Sequence, residues 1–161
     1  MHYSHFDSPV GSLLLVGDRG ALCGLYFPNS KYPAKQRDDW QQDDKPFDEA
    51  KRQLDAYFAG DLQTFDLPLA PQGTDFQQRV WQQLRQIPYG QTISYGQLAQ
   101  RTGDPNGSRA VGNANGKNPI SIIVPCHRVI GANGRLTGFG GGLDTKRQLL
   151  ELEQQHATLF A

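Results

Sequence analysis

The sequence predicts an α+β fold in which a small antiparallel sheet with one helix precedes a mainly helical region. Two short apolar runs at residues 13–16 and 21–27 flank the turn Asp18-Arg19-Gly20, which is the pattern of neighbouring strands. After residue 73 the pattern changes to helical periodicity, with Thr and Ser residues that can cap the helices. We therefore expect two parts built from different secondary structure.

Composition and charge place the chain among ordinary globular proteins. Its 161 residues are 37% hydrophobic and 20% charged, which excludes wholesale disorder. No run approaches the roughly 20 apolar residues of a membrane helix. The first residues also lack a basic segment leading into an apolar one, so we expect a cytoplasmic protein with no membrane partner. Residues 1–71 carry a net charge of −4 and residues 72–161 one of +4. This difference in charge either indicates that the basic half binds nucleic acid or arose by chance.

Neither a disulfide nor a metal site is expected. Cys23 and Cys126 lie 103 residues apart in different local sequences, so we treat both as free thiols. The four histidines form no pattern with them that would supply four zinc ligands. We predict no metal and no cofactor.

One helix is predicted in the first half, and it ends near a domain boundary. Apolar residues recur at helical spacing after Pro46, at Phe47, Ala50, Leu54, Tyr57 and Phe58. Gly60 ends the helix, and residues 61–73 contain two prolines and coincide with the change in charge. We expect a sheet-and-helix domain with its linker at residues 1–72 and a C-terminal domain at residues 73–161.

Three short helices are predicted at the start of the C-terminal domain. Thr74 with Gln77, and Ser94 with Gln97, have the spacing of capping boxes. The first helix has one apolar face, formed by Phe76, Val80, Trp81, Leu84 and Ile87. Ser108 is expected to cap a third helix that reaches about residue 117. The second and third helices, joined by a glycine-containing turn, are typical of a helix-turn-helix.

The third of these helices has an unusual composition. Gly112 and Gly116 each cost roughly 1 kcal/mol relative to alanine in a helix interior, so something must require the missing side chains. One explanation is that the helix lies flat on another backbone, protein or nucleic acid. Polar contacts would then come from Arg109, Asn113, Asn115 and Lys117. The other explanation is packing against the protein's own core, and the residues alone leave both open.

The sequence pattern in the last part of the chain predicts a buried strand and a long helix. The apolar run 120–124 stops at Pro125, which is typical of a buried strand. A turn is expected at 132–134 and a glycine-rich loop at 137–142. Asp144 begins the final helix, whose inward residues are Leu149, Leu150 and Leu152.

Cys126 is the candidate nucleophile, although a lone cysteine is most often a small buried hydrophobe. It ends the predicted strand beside His127 and Arg128, and nearby positive charge lowers the pKa of a thiol. Neighbouring strand residues point to opposite faces, so contact between sulfur and imidazole needs a turn or a bridging water. A histidine base also needs an acceptor, for which Glu153 on the final helix is a candidate.

The segment Pro125-Cys126-His127-Arg128-Val129-Ile130-Gly131 resembles the active-site signature of the O6-alkylguanine-DNA alkyltransferases, or methylated-DNA-protein-cysteine methyltransferases. Further blocks follow the family's order and spacing, at 76–81, 93–99, 109–112 and Asn118-Pro119. The resemblance implies a ribonuclease H-like N-terminal domain, which the first half matches only loosely. It also implies a winged-helix-like C-terminal domain that carries the active-site cysteine.

This resemblance implies direct repair of DNA. Cys126 would irreversibly take the alkyl group from O6-alkylguanine, and also from O4-alkylthymine, in a single turnover. His127 would be the base, bridged by water to the thiol and oriented by Glu153. Tyr95 would help to stabilise the departing base, and Asn118 would support the turn that holds the cysteine.

The resemblance also assigns a DNA surface and a substrate pocket. Arg109 would enter the base stack when the damaged nucleotide is flipped out, and its helix would lie in the minor groove of double-stranded DNA with little sequence preference. The other implied DNA contacts are Tyr95, Ala110, Gly112, Asn113, Asn115, Lys117 and Arg128. The alkyl pocket would be lined by Val129, Gly138, Phe139 and Gly140. Some relatives have tyrosine at the position of Phe139. We expect the protein to be a monomer, and whether it binds DNA cooperatively is left open.

Two other functions compete with this one. A damage sensor would flip alkylguanine without transferring the alkyl group, but relatives of that kind replace the cysteine that this chain retains. A cysteine hydrolase using Cys126 and His127 would need an oxyanion hole, for which the sequence offers no candidate.

Overall fold

The computed structural model describes residues 1–30, 39–136, 139 and 142–157. Its first part is a four-stranded sheet with the strand order β3-β2-β1-β4. The strands are β1 (His2–Ser8), β2 (Gly11–Asp18), β3 (Ala21–Tyr26) and β4 (Gln41–Gln42). The first three pair antiparallel, and β4 pairs with β1 in parallel. Arg19 and Gly20, with φ of 53° and 82°, turn the chain tightly between β2 and β3.

Helix α1 (Asp48–Phe58) packs on this sheet, after a short 3-10 turn at Lys45–Phe47. Its inward face carries the residues that the helical spacing predicts, since Ala50, Leu54 and Tyr57 are buried. Gly60 follows the helix with a φ of 82°, the left-handed conformation that glycine adopts most easily. The prediction of this helix and its end is confirmed.

The described residues of the C-terminal part form four helices and a two-stranded parallel pair. The helices are α2 (Asp75–Leu84), α3 (Tyr95–Thr102), α4 (Ser108–Gly116) and α5 (Leu143–Ala157), and the strands are β5 (Ile93–Ser94) and β6 (Val129–Ile130). Both capping boxes form, because Thr74 and Ser94 each accept a bond from the backbone N–H three residues on. In return, the side-chain oxygens of Gln77 and Gln97 accept from the backbone N–H of Thr74 and of Ser94. Ser108 does not cap α4: it is the first helical residue, and Gly107 is the cap.

Helices α3 and α4 form the helix-turn-helix, and α2 supports them. Gly103 ends α3 in the left-handed conformation, at a φ of 92°. The indole Nε1 of Trp81 donates a 2.9 Å hydrogen bond to the backbone oxygen of Ala114, which fastens α2 to α4. This arrangement holds the N-terminal half of α4 at the surface.

The predicted strand at 120–124 is wrong. Residue Ile120 makes one isolated bridge to Leu25, and residues 121–123 form a turn in which Ile122 has a φ of 73°. The Asn118 amide explains the difference, because it accepts from the Ile120 N–H at 3.0 Å and donates to the Val124 oxygen at 2.7 Å. Asparagine side chains of this kind compete with strand pairing and favour turns.

One apolar core joins the two parts of the chain. The backbone of Leu25 donates to Pro119 at 2.8 Å and accepts from Ser121 at 3.2 Å, so β3 is tied to the loop before the cysteine. The linker is tied to the same strand, because Leu22 donates to Pro68 at 2.9 Å. The boundary at residue 72 stays a prediction. Among the residues described, no helix has the length and apolar character required to cross a membrane.

Candidate active site

Cys126 begins a 3-10 turn, Cys126–Arg128, instead of ending a strand. Its N–H donates to the Val124 oxygen at 2.8 Å, and the N–H of Arg128 donates to the Pro125 oxygen at 3.0 Å. Asn118, through its bond to Val124, holds the chain that enters this turn. The turn therefore removes the alternation of faces that would separate two neighbouring strand residues.

His127 and Glu153 form a wholly buried hydrogen-bonded pair. The imidazole Nε2 lies 2.6 Å from Oε2 of Glu153, and neither side chain is exposed. Because an ionised carboxylate can only accept, Nε2 carries the hydrogen and donates it. Nδ1 is buried and has no hydrogen-bond partner within the described residues. In the neutral ring this second nitrogen is a proton acceptor, which is what a base requires.

The Glu153 carboxylate also holds Arg128. The guanidinium Nε donates to Oε1 at 2.8 Å, and Nη2 donates to Oε2 at 3.0 Å. Burial alone would raise the pKa of Glu153, but His127 and Arg128 outweigh it and hold that pKa well below its usual range. Glu153 is therefore a charged carboxylate at neutral pH, and it fixes the orientation of His127.

The environment of the Cys126 thiol contains opposing effects. Burial raises its pKa, while hydrogen bonding from Asn118 and Ser121 and the positive charge of Lys146 act to lower it. Cys126 is 4% exposed, so the thiol is almost entirely removed from solvent. The net effect keeps the thiol protonated at rest, and a base must then accept its proton during reaction.

Lys146 is a residue of the site that the sequence analysis missed. Its buried Nζ donates to the Val129 oxygen at 2.6 Å and lies 5.9 Å from the centre of the Tyr95 ring. Burial lowers its pKa to about 8. A signal was available, since Lys146, Leu149 and Glu153 lie at the i, i+3, i+7 positions of one helix face.

Four of the predicted DNA contacts are exposed: Arg109, Ala110 and Asn113 lie on α4, and Lys117 caps its C-terminal end. Three of them, Arg109, Asn113 and Lys117, follow each other at intervals of four residues and so share one side of the helix. Tyr95 is half-buried at the start of α3, and its ring faces Gly112. The structure thus brings the exposed cation, the predicted phenol and the small residues together on the helix-turn-helix.

Two predicted DNA contacts are placed elsewhere. Asn115 is buried and donates to the Cys126 oxygen at 3.4 Å, so it supports the turn. Arg128 is buried, and its third guanidinium nitrogen, Nη1, donates to the Ile87 oxygen at 2.7 Å. Since its guanidinium already binds Glu153 and this carbonyl, Arg128 is an internal counter-ion and does not lie at the DNA surface.

The predicted pocket is placed only in part. Val129 is buried beside the cysteine turn, and Phe139 is half-buried with its ring centre 5.5 Å from that of Phe27. Gly138 and Gly140 lie outside the described residues. Within the part of the chain that the structure describes, no group of three or more His, Cys, Asp or Glu side chains could hold a metal ion.

Fold and site together define a two-part α+β protein in which a helix-turn-helix adjoins a buried thiol and a histidine–glutamate pair. Two family models match it. The ribonuclease-like domain of 6-O-methylguanine DNA methyltransferase matches residues 1–71, and the DNA binding domain of the same family matches residues 75–155. The chain therefore belongs to the 6-O-methylguanine DNA methyltransferase family, and the resemblance seen in the sequence is confirmed.

Individual relatives agree with this assignment. A methylated-DNA–protein-cysteine methyltransferase of Methanosarcina acetivorans is 54% identical over 95% of this chain and 98% of its own length. One from Mycobacterium bovis is 54% identical over 99% of each chain. The crystal structure of Mycobacterium tuberculosis OGT in complex with DNA superposes with a TM-score of 0.91 at 52% identity, covering 100% of both chains. The predicted α+β fold class is confirmed.

Proposed function

We propose that this protein repairs DNA by transferring the alkyl group of O6-alkylguanine to Cys126, as a methylated-DNA–protein-cysteine methyltransferase. The observation that carries the proposal is the buried pair of His127 and Glu153 beside a thiol on a tight turn. Membership of the family and relatives with this activity in their names support it. The DNA complex of a similar protein supports DNA as the partner.

The reaction is a displacement at a saturated carbon. His127 takes the thiol proton on Nδ1, directly or through a water, while Nε2 stays bonded to Glu153. The sulfur of Cys126 then forms a bond to the alkyl carbon as the bond from that carbon to O6 breaks, and the electron pair goes to guanine. The Tyr95 hydroxyl donates to the departing base, which stabilises the negative charge that develops there.

The same chemistry makes the protein a single-use reagent. The product at Cys126 is a thioether, whose sulfur is a poor leaving group, so no step of the reaction restores the thiol. Lys146 contributes by its charge, which favours the ionised sulfur during attack. Each molecule therefore repairs one lesion.

Helix α4 is the proposed DNA surface. A Cβ at Gly116 would meet no atom within 4 Å, and one at Gly112 would make an ordinary contact of 3.6 Å with the Tyr95 ring. Packing within the chain therefore does not require either glycine, which favours the explanation that the helix lies against another backbone. Arg109 is exposed at its start and is suited to fill the space of a flipped nucleotide.

Several finer features belong to the same proposal. Contacts to the sugar-phosphate backbone in the minor groove give weak sequence preference. Val129 and Phe139 line the alkyl pocket, and O4-alkylthymine is a second substrate. The protein acts as a monomer in the cytoplasm. A sensor that flips the lesion without transfer is not favoured, because Cys126 is present and the relatives are named as transferases.

A titration tests this function. The protein is incubated with increasing amounts of duplex that contains one O6-methylguanine, and the bases are quantified after digestion of the DNA. We expect one guanine restored for each protein molecule, and none with Cys126→Ser. Tight binding without restored guanine would support the sensor, and several guanines restored for each protein would contradict single use.

A further inference from the structure

The first part of the chain reaches the active site through Tyr57 of α1. Its hydroxyl donates a 2.6 Å hydrogen bond to Oε2 of Glu153, which lies 96 residues later. Both side chains are wholly buried. Neither the predicted site nor the family signature around Cys126 includes this tyrosine.

Tyr57 and His127 share one carboxylate oxygen. Oε2 of Glu153 accepts from the Tyr57 hydroxyl, from Nε2 of His127 and from Nη2 of Arg128, whereas Oε1 accepts from Nε of Arg128. Hydrogen bonds to a charged acceptor are short and strong, and each additional donor reduces the charge available to the others. The tyrosine therefore acts on the same atom that orients the imidazole.

The ring of Tyr57 is held rigidly in place. Its centre lies 5.2 Å from that of Phe58, 5.4 Å from that of Phe65 and 6.3 Å from that of Tyr89. Burial raises the pKa of Tyr57 well above its ordinary value, and the negative charge of Glu153 adds to this effect. The phenol consequently keeps its proton and remains a donor across the pH range in which the protein functions.

We infer that Tyr57 is a positioning residue for the alkyl transfer, whose hydroxyl fixes the Glu153 carboxylate and limits the negative charge that this carboxylate presents to His127. The inference rests on the proposed function. It gives the N-terminal part of the chain a role in the chemistry, because α1 supplies a group that acts through Glu153 on the base.

The loss of this hydroxyl has a defined electrostatic consequence. With two donors instead of three, Oε2 carries more negative charge and binds the Nε2 hydrogen of His127 more tightly. The other groups that face Glu153 within the described residues are Arg128 on the cysteine turn and Tyr89 before β5. Both remain in place, so a change in the pH dependence of transfer is attributable to the Tyr57 hydroxyl.

The test is Tyr57→Phe in the full chain, which keeps the ring and removes the hydroxyl. Tyr89→Phe is the matched control, since the Tyr89 hydroxyl is buried with no partner among the described residues while its ring lies in the same aromatic cluster. Single-turnover rates on O6-methylguanine duplex are measured against pH, per active molecule as counted by titration. DNA affinity is measured in parallel.

We expect Tyr57→Phe to transfer about tenfold more slowly at neutral pH, with the rising limb of its pH profile moved to higher pH and with unchanged DNA affinity. Tyr89→Phe should match the wild type in transfer rate, pH profile and DNA affinity. An unaltered pH profile in Tyr57→Phe, whatever its rate, would overturn the inference, because a merely structural role lowers the active fraction without moving that profile. A wild-type protein that transfers nothing would refute the proposed function instead.

A measurement on the unaltered protein covers the case in which Tyr57→Phe does not fold. A hydroxyl proton held in a 2.6 Å bond between buried groups should give a slowly exchanging, low-field proton resonance. We expect nuclear Overhauser contacts from it to the rings of both Tyr57 and His127. If no resonance connects the two rings, the inference is overturned.

Discussion

Nζ of Lys146 donates a 2.6 Å hydrogen bond to the backbone oxygen of Val129, three residues after Cys126. This places a buried cation from α5 beside the cysteine turn, and its charge lowers the pKa of the thiol against the effect of burial. The segment that carries Cys126 therefore also binds Lys146, the cation that lowers the pKa of the thiol.

Replacing this cation should slow the thiol. In Lys146→Met the pKa of Cys126 rises further, because burial is then opposed only by hydrogen bonds. We expect iodoacetamide to modify Cys126 about tenfold more slowly at pH 7.5. Lys117→Met is the control, because Lys117 is the exposed residue that caps the C-terminal end of α4, and this variant should leave the rate unchanged. Equal rates for Lys146→Met and the wild type would show that the cation does not influence the sulfur.

Glu153 should make the fold sensitive to acid. Its folded pKa is held below the ordinary value of 4.5, so its contribution to stability is present above that value and is lost as the pH falls toward the folded pKa. Glu153→Gln leaves Arg128 buried without a counter-charge, and we expect a loss of about 3 kcal/mol in the free energy of unfolding at pH 7. Urea unfolding at a series of pH values measures both effects.

The acid response of Glu153→Gln should be flatter than that of the wild type between pH 5 and pH 3, because the titrating group is gone. Glu151→Gln is the control, since Glu151 is exposed on the same helix. It should unfold as the wild type does. Parallel curves for the wild type and Glu153→Gln would mean that the carboxylate is not the acid-sensitive group.

Arg109→Ala should separate DNA capture from thiol chemistry. Arg109 is exposed at the start of α4, whereas the hydrogen-bonded pair of His127 and Glu153 is buried, so the two serve different steps of the reaction. We expect a fall of at least about tenfold in the rate on lesion-containing duplex, and an unchanged rate on free O6-benzylguanine. Arg101→Ala, at the exposed end of α3, is the control for loss of a cation. An equal fall with both substrates would refute the role given to Arg109.

Gly112→Ala should raise stability and weaken DNA binding at once. A helical alanine gains roughly 0.5–1 kcal/mol over glycine, and the added Cβ has ordinary contact distances within the chain. If α4 lies flat on DNA, the same methyl group holds the two surfaces apart. Thermal unfolding and fluorescence anisotropy with labelled duplex measure the two effects. A variant that gains stability and binds DNA as tightly as the wild type would remove the argument for a backbone at this face.

The local elements were predictable where a short sequence pattern determines them. Thr74 with Gln77 forms its capping box because both partners lie within one turn of the chain. The segment 120–124 was mispredicted because its apolar residues are buried as expected, but the Asn118 amide bonds to the backbone and bends it into a turn. Burial follows from composition, whereas the path of the backbone depended on a polar residue outside the run.

The same limit applies to predicting the residues of the active site from the sequence. Glu153 could be proposed as the partner of His127, but Tyr57 matched the pattern of a core aromatic residue, and nothing in the sequence connects it to a carboxylate 96 residues away. The resemblance implied that Arg128 contacts DNA, and a cation is ordinarily exposed. Its burial depends on Glu153 and on the Ile87 oxygen, which only the folded chain brings to it.

Peptide mass spectrometry is the most direct test of the claim that the methyl group is transferred to the sulfur of Cys126. After exposure to excess O6-methylguanine duplex, the digested protein should contain a single added methyl on the peptide bearing Cys126, with the Cys23 peptide unmodified. Repaired DNA accompanied by an unmodified Cys126 peptide, or by a methyl group on Cys23, would contradict the account.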